Sequence, residues 1–431
     1  MDQVTGGMRT EAPAEEDIRG WAALLRAPHG LRLAAVSAGI GLHAFNEVAI
    51  GPVLPIAVTA LQGVALLPFV YAAFFVSVIM GGLTASPLRL RLGARRALLC
   101  AGLLYGCGVA VQAFAVGPLM LMAGRALQGL SDGWIVALCY TLIADLFPPR
   151  LVPRIFTAEA MVWALAAVLG PFAGGLSVEM LGWRWALTVS LPVIALFFAV
   201  MPFALPRDET RAPASPGAPR PSLLPPRLFS LTGTVGRGSW LLFLMTAAQS
   251  VSTVFLAYTL HVRLGLPPVR VGLVLITLSL SWSAAAIPIG NVDSLAKRQA
   301  ILRAGPLLQA TGALFVATGL FLSLLPLVLL GQMLNGIAFA MVFASANQAV
   351  IEDAAPEHRL ATSALLPALE TSGYVAGAII VGGLGSLFAV QSAVAQGEPG
   401  HAVFALWGTA AILSLLSFAA ARGVVLKLRE A

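Results

Sequence analysis

Between Gly124 and Trp185 the chain reads GRALQGLSDG (124–133), a charged break DLFPPRLVPR (145–154), LGPFAGG (169–175) and finally GWRW (182–185). This is the pattern of two membrane-crossing helices with short turns around them. Arg125 and Asp132 lie inside apolar sequence, where an ionisable side chain is costly unless it meets a partner or faces water. The glycines and prolines that follow are frequent where membrane helices pack closely or bend.

The same texture runs along the whole chain. Of 431 residues, 58% are hydrophobic and only 10% charged, against roughly a quarter charged in soluble domains. Apolar runs long enough to cross a hydrocarbon core fall at 33–58, 64–84, 97–115, 118–144, 155–178, 185–205, 240–262, 269–290, 300–322, 326–350, 361–388 and 401–421. The fold class expected is an all-α polytopic membrane protein with twelve transmembrane helices. After the sixth span comes RDETRAPASPGAPRPSLLPPR (207–227), a Pro-rich segment unable to pack a core. The expected organisation is an N-terminal tail (1–30), a six-helix bundle (31–205), a linker (206–239), a second six-helix bundle (240–422) and a C-terminal tail (423–431). IRGWAALLRA (18–27) in the first tail reads as a short surface helix.

A net charge of +7 does not point to nucleic acid here, because the basic residues sit in short turns between apolar runs. With the N-terminus in the cytosol, all but four of the 26 Lys and Arg fall in cytosolic tails and loops; Arg184, Arg263 and Arg270 lie outside and Arg125 lies within a span. That bias predicts cytosolic termini. Cys100, Cys107 and Cys139 all fall in apolar segments and read as small buried side chains rather than a disulfide or metal set.

The two halves also echo one another. GRALQG (124–129) matches GQMLNG (331–336) at an offset of 207, and GARRAL (93–98) matches AKRQAI (296–301) at an offset of 203. GPFAGG after Arg154 has a looser counterpart in GAIIVGG after Arg359. The near-equal offsets imply an ancient duplication into two parallel repeats, a recurrent transporter architecture.

With its twelve spans, central linker and paired motifs, the chain resembles the major facilitator superfamily, and within it the proton-coupled drug-efflux antiporters. Arg125, Gln128 and Gly129 match the R-x-x-Q-G motif of the fourth span, and Gly170, Pro171, Gly174 and Gly175 the G-P-x-x-G-G core of the antiporter motif. Ala166 stands where a further glycine is usual; GWRW matches the usual start of the sixth span. The loop pattern G-x-L-A-D-R-x-G-R-R is only partly kept in SPLRLRLGARR: Ser86 and Leu90 replace the glycine and the aspartate, while Arg91, Gly93 and Arg95 remain. The second half supplies Asp293, Lys297 and Arg298 in the corresponding loop. The resemblance implies that these loops latch the halves in one conformation, with the first latch weakened or resting on basic residues.

Glu47 lies mid-span in GLHAFNEVAIGPVLP (41–55), a depth at which a carboxylate needs a cavity or an ionic partner. Asp132 follows Arg125 by two helical turns, about 10 Å along the axis, so either each answers a group on another helix or both face the same wet cavity. The resemblance implies that spans 1, 4, 7 and 10 line a central cavity, where Glu47, Asp132 and Arg125 converge as proton-coupling candidates. A structural hydrogen bond from Arg125 to the first span is the competing reading. Asn46, Gln128, Gln249, Gln332, Asn335 and Glu370 are candidates for the substrate cavity, against helix-to-helix bonding as the plainer role. Glu159 reads as part of a cytosolic gate, and Asp145, Glu352 and Asp353 as solvated caps or loop partners. Phe45, Trp163, Tyr258 and Phe339 read singly as packing or lipid-facing rings, and His43 and His261 as packed or interfacial histidines.

No P-loop, metal-ligand spacing or nucleophile motif points to an enzyme or an ATP-driven pump. The expected activity is secondary export of small, amphipathic organic molecules by proton antiport through alternating access, with no cofactor beyond the proton gradient. The alternative is a proton-coupled importer or facilitator of an organic anion or sugar, for which Arg125 would be the anion clamp. The expected partners are a small-molecule substrate and the lipid bilayer, the expected state a monomer, and the expected location a bacterial-type inner membrane.

Overall fold

The computed structural model describes residues 24–26, 28–148, 151–205, 228–355, 358–396 and 400–426. The expected tails, surface helix and Pro-rich linker fall outside this set, apart from their inner ends. Among the described residues all regular structure is helical, and twelve helices are long and apolar enough to cross a membrane. They are α1 (His29–Ala60), α2 (Leu67–Leu92), α3 (Ala94–Ala113), α4 (Pro118–Leu146), α5 (Val152–Leu181) and α6 (Leu191–Ala204, preceded by one turn at Trp183–Ala186). The second half contributes α7 (Gly233–Leu264), α8 (Pro268–Gly290), α9 (Leu295–Phe321), α10 (Leu325–Asp353), α11 (Arg359–Leu387) and α12 (Gly400–Ala421). α7 takes in the last seven residues (233–239) of the segment expected as linker.

Prolines open α2, α4 and α8, where the missing N–H costs nothing. Gly93 (φ 78°), Gly182 (φ 83°) and Gly265 (φ 62°) close α2, α5 and α7, a left-handed backbone that an L side chain resists. The α2–α3 turn therefore depends on Gly93, the glycine of the partly kept loop motif.

Lipid chains are as apolar as the helices, so burial alone gives no drive for one helix to choose another. Close backbone contact supplies it here. In the first half Gly129 on α4 lies against the Phe74 carbonyl of α2, and a Cβ on Gly108 of α3 would stand 2.7 Å from the Gln128 nitrogen and 2.9 Å from the Gly124 oxygen. The second half repeats both contacts. Gly336 on α10 lies against the Leu278 carbonyl of α8, and a Cβ on Gly312 of α9 would stand 2.8 Å from the Gly331 oxygen. The duplicated motifs occupy equivalent places in two six-helix bundles.

The bundles meet through α5 with α8 and α2 with α11. A Cβ on Gly175 would lie 2.6 Å from the Pro268 oxygen, and Gly272 abuts the Pro171 carbonyl. Phe75 and Tyr374 stack across the other seam at 5.4 Å, and a Cβ on Gly382 would sit 3.1 Å from Pro68. Glu179 on α5 accepts a hydrogen bond from the Val269 N–H in the first turn of α8 (2.8 Å). These contacts lie toward the ends remote from the basic α2–α3 and α8–α9 turns. Near the basic end Arg89 pairs with Asp145 within the first bundle, and Arg298 donates to Gln348 within the second (3.2 Å). Leu90, the residue in place of the motif aspartate, is half exposed.

Gly129→Leu should force α2 and α4 apart and cost at least the 1–3 kcal/mol typical of overpacking. Gly106→Leu, at a glycine with open space around it, should leave the melting temperature in detergent nearly unchanged. Equal melting of the two variants would contradict the close-packing account.

Candidate functional site

Between the bundles lies a cavity of about 520 Å³ bordered by residues of α1, α2, α5, α7, α8, α10 and α11. It runs from Gly51 and Pro171, near the packed seam, to Ala160 and Ala286, nearer the basic end. Tyr71, Trp163, Trp282, Phe339 and Tyr374 give it an aromatic wall, with Trp282 and Phe339 centroids 5.3 Å apart. Its second-half wall carries neutral polar groups, among them Gln249, Ser252, Thr253, Ser279 and Gln332. The Gln332 Oε1 is buried without a hydrogen-bond partner among the described residues. Glu47 is the carboxylate on the cavity wall.

Glu47 belongs to a chain of three side chains. One turn earlier on α1, His43 places Nε2 3.5 Å from Glu47 Oε2 and Nδ1 2.5 Å from Asp132 Oδ2 on α4. The Trp163 ring meets the imidazole edge-on at 5.5 Å. Exposure falls along the chain: Glu47 30%, His43 16%, Asp132 0%. The second carboxyl oxygen of Asp132 has no hydrogen-bond partner among the described residues. His43 had read from sequence as a lone packed or interfacial histidine; the fold instead sets it between two acids. The signal available was its four-residue spacing from Glu47, which stacks the two on one helix face.

Arg125 sits in a neighbouring but separate network. Its guanidinium lies over the Phe74 ring at 3.8 Å, a cation–π contact strengthened by desolvation, and its Nη1 donates to Gln128 Oε1 (2.6 Å). The same oxygen accepts from Gln112 Nε2 (3.0 Å), and Gln128 Nε2 donates to Asn46 Oδ1 on α1 (2.9 Å). Arg125, Gln128 and Asn46 are buried and do not border the cavity. Arg125 thus reaches α1 through two amides rather than through its backbone.

The remaining candidates divide. Gln249 and Gln332 border the cavity. Asn335 packs beside Gly312 on α9, Glu370 accepts from Asn347 (3.0 Å), and Glu159 accepts from Ser37 on α1 (2.7 Å); none of the three borders it. Trp163 and Phe339, read singly as packing rings, face it, as do Tyr71, Trp282 and Tyr374, which sequence did not single out. The antiporter-motif glycines divide: Gly170 and Gly174 pack against α1 at Ala49 within the first bundle, while Gly175 lies on the seam against α8 at Pro268. Among the described residues no group of three or more His, Cys, Asp or Glu is placed to hold a metal ion.

A family model described as Major Facilitator Superfamily matches residues 36–292. The chain belongs to the Major Facilitator Superfamily. A probable multidrug-efflux transporter of Mycobacterium tuberculosis is 32% identical over 170 residues, which is 39% of this chain and 36% of that relative's length. The multidrug efflux pump SdrM of Staphylococcus aureus is 21% identical over 76% of this chain and 83% of its own. Among solved structures, a D-xylose–proton symporter superposes with a TM-score of 0.68 at 16% identity, covering 90% of this chain and 96% of the symporter. That likeness establishes the major facilitator fold. Family and fold are those of membrane-spanning transporters.

Gln128→Leu should orphan buried groups on Arg125, Gln112 and Asn46, each costing about 1–3 kcal/mol. Gln249→Leu, at the cavity wall, should cost far less. Thermal unfolding of the two purified variants checks this; a Gln128 variant as stable as the Gln249 variant would contradict a structural role for the amide network.

Proposed function

We propose that this transporter exports small, amphipathic organic molecules in exchange for protons, alternating access between its two bundles. The observation that carries the reading is the aromatic cavity between the bundles with Glu47 on its wall, tied through His43 to Asp132. Such a wall suits a flat apolar body bearing positive charge or hydrogen-bond donors. The multidrug-efflux names of the mycobacterial and staphylococcal relatives support export. The distribution of Lys and Arg supports cytosolic termini in a bacterial-type inner membrane, an orientation in which the seam closes the outer side and the cavity leads to the cytosol.

In the proposed cycle Glu47, aided by Asp132, gives up its proton when the cavity faces the cytosol and so receives substrate. Protonation from outside then releases the substrate, because proton and substrate compete for one negative site. No cofactor is required; the proton gradient is the driving force, and one chain contains the whole cavity, consistent with a working monomer. Import of an organic anion or sugar would rest on the fold shared with the D-xylose–proton symporter. Export is the better reading, since Arg125, the side chain suited to clamp an anion, is held by Gln128 and Phe74 away from the cavity.

In proteoliposomes carrying a proton gradient, Glu47→Gln and Asp132→Asn should each abolish proton-driven transport of a lipophilic cation such as tetraphenylphosphonium, while Arg359→Lys should not. Undiminished gradient-driven transport by both acid variants would overturn the assignment.

A further inference from the structure

We infer that His43 is the proton conductor between the cavity and Asp132. The inference rests on the antiport reading for its purpose, but its physical content stands on geometry. Asp132 is fully enclosed, so a proton cannot pass directly between its carboxyl group and water in the cavity. Glu47, by contrast, borders the cavity. The group that touches both acids is the imidazole, with one ring nitrogen toward each.

Two nitrogens on opposite edges of one ring are what a relay needs, since one can accept a proton while the other gives one up. In the proposed starting state the ring is neutral and Nδ1–H donates to the Asp132 carboxylate (2.5 Å), which leaves the Nε2 lone pair toward Glu47. The 3.5 Å between Nε2 and Oε2 of the half-buried Glu47 must shorten for transfer, and catalytic contacts are commonly long in unliganded structures. A proton taken up by Glu47 from cavity water passes to Nε2 as the Nδ1 proton passes to Asp132 Oδ2. Glu47 is then again a carboxylate, Asp132 a neutral acid and the ring neutral in its other tautomer. One proton has moved from cavity water to Asp132, and no other group of the protein has gained or lost one. The reverse step restores the starting tautomer and returns the proton to the cavity.

Of the other titratable and charged groups, Arg125 on α4 acts on both acids, Tyr105 on α3 on Asp132 and Tyr374 on α11 on Glu47, while Tyr71 on α2 borders the cavity with Glu47. From α5 the ring meets Trp163, which carries no ionisable group. Among the described residues Glu47 and Asp132 make no side-chain hydrogen bond or ion pair except those to His43, so loss of the imidazole isolates the inner acid. A merely structural histidine would hold α1 to α4 equally well with any side chain able to hydrogen-bond Asp132. A conductor needs both nitrogens.

Infrared difference spectroscopy after a rapid jump from alkaline to acidic buffer tests this on the full-length protein without any substrate. The carboxylic C=O band that Asp132→Asn removes reports protonation of Asp132. In His43→Gln, which keeps an amide donor for Asp132, that band should reach its full amplitude but rise about 10²-fold more slowly, the lower end of what a positioned proton-transfer group contributes. Glu47→Gln should slow it similarly. If His43→Gln does not fold, His43→Ala takes its place, and added imidazole should restore the fast rise in proportion to its concentration. A rise as fast in His43→Gln as in the native chain, an alanine variant indifferent to imidazole, or no Asp132 band at all would overturn the inference. Native transport in Glu47→Gln and Asp132→Asn with a His43-dependent band would defeat the antiport reading alone.

Discussion

A carboxyl group with no solvent contact in the middle of a membrane bundle constrains everything around it. Asp132 is such a group, and the contact that makes it tolerable is the one to His43 on α1. Burying an acid and a base together is not a source of stability in itself, because desolvation of both opposes their attraction. Removing one partner is far worse than never having had either. The pair therefore fixes the rotation of α1 against α4, and with it the direction in which Glu47 points. One residue before Glu47, Asn46 turns to the amide of Gln128. Two adjacent positions on one helix thus serve two networks, one reaching the cavity through Glu47 and one holding Arg125 away from it.

That precision needs helices that approach closely, and the glycines provide it. α4 touches α2 at Gly129 and Gly133 and touches α3 at Gly124, so three backbones meet with no side chain between them. Interhelical hydrogen bonds and van der Waals contact then act at short range, which is where they matter in lipid. Corresponding glycines in the second half, Gly336 against α8 and Gly331 against α9, do the same for α10. The halves share a packing scheme more faithfully than they share chemistry. Where the first has Arg125 and Gln128, the second has Gln332 and Asn335 at the matching positions.

The helices were legible because each is a long apolar run with a turn signal at its ends, and the packing glycines because the duplication repeats them. Glu47, Asp132 and Arg125 were legible as expensive residues. Their partners were not. The Asp132 contact spans 89 residues of sequence, and nothing local to either residue announces it. His43 was a single histidine in an apolar run, a pattern that ordinary packing also produces. The amides illustrate the same limit from the other side: Gln128 and Gln249 look alike in sequence, yet one is consumed by three neighbours and the other borders the cavity. Depth and rotation decide between those fates, and both are set by helix–helix contacts that periodicity does not encode.

The charged wall of the cavity belongs to one bundle and the neutral amide wall to the other, and this asymmetry has a mechanical corollary. α1 carries Glu47 and His43, and two residues past Glu47 the backbone of Ala49 lies against Gly170 and Gly174 of α5. On the next residue of α5, Gly175, the contact passes to Pro268 of α8, in the opposite bundle. Chemistry and seam are therefore separated by a single helix thickness, bridged by backbone atoms rather than flexible side chains. A change of charge at Glu47 acts on a helix that has almost no slack against α5, and α5 has almost none against α8. Small residues at a seam are often read only as a surface that slides. Here they also make the seam stiff normal to the sliding direction, so that a shift of α1 cannot be absorbed before it reaches the other half.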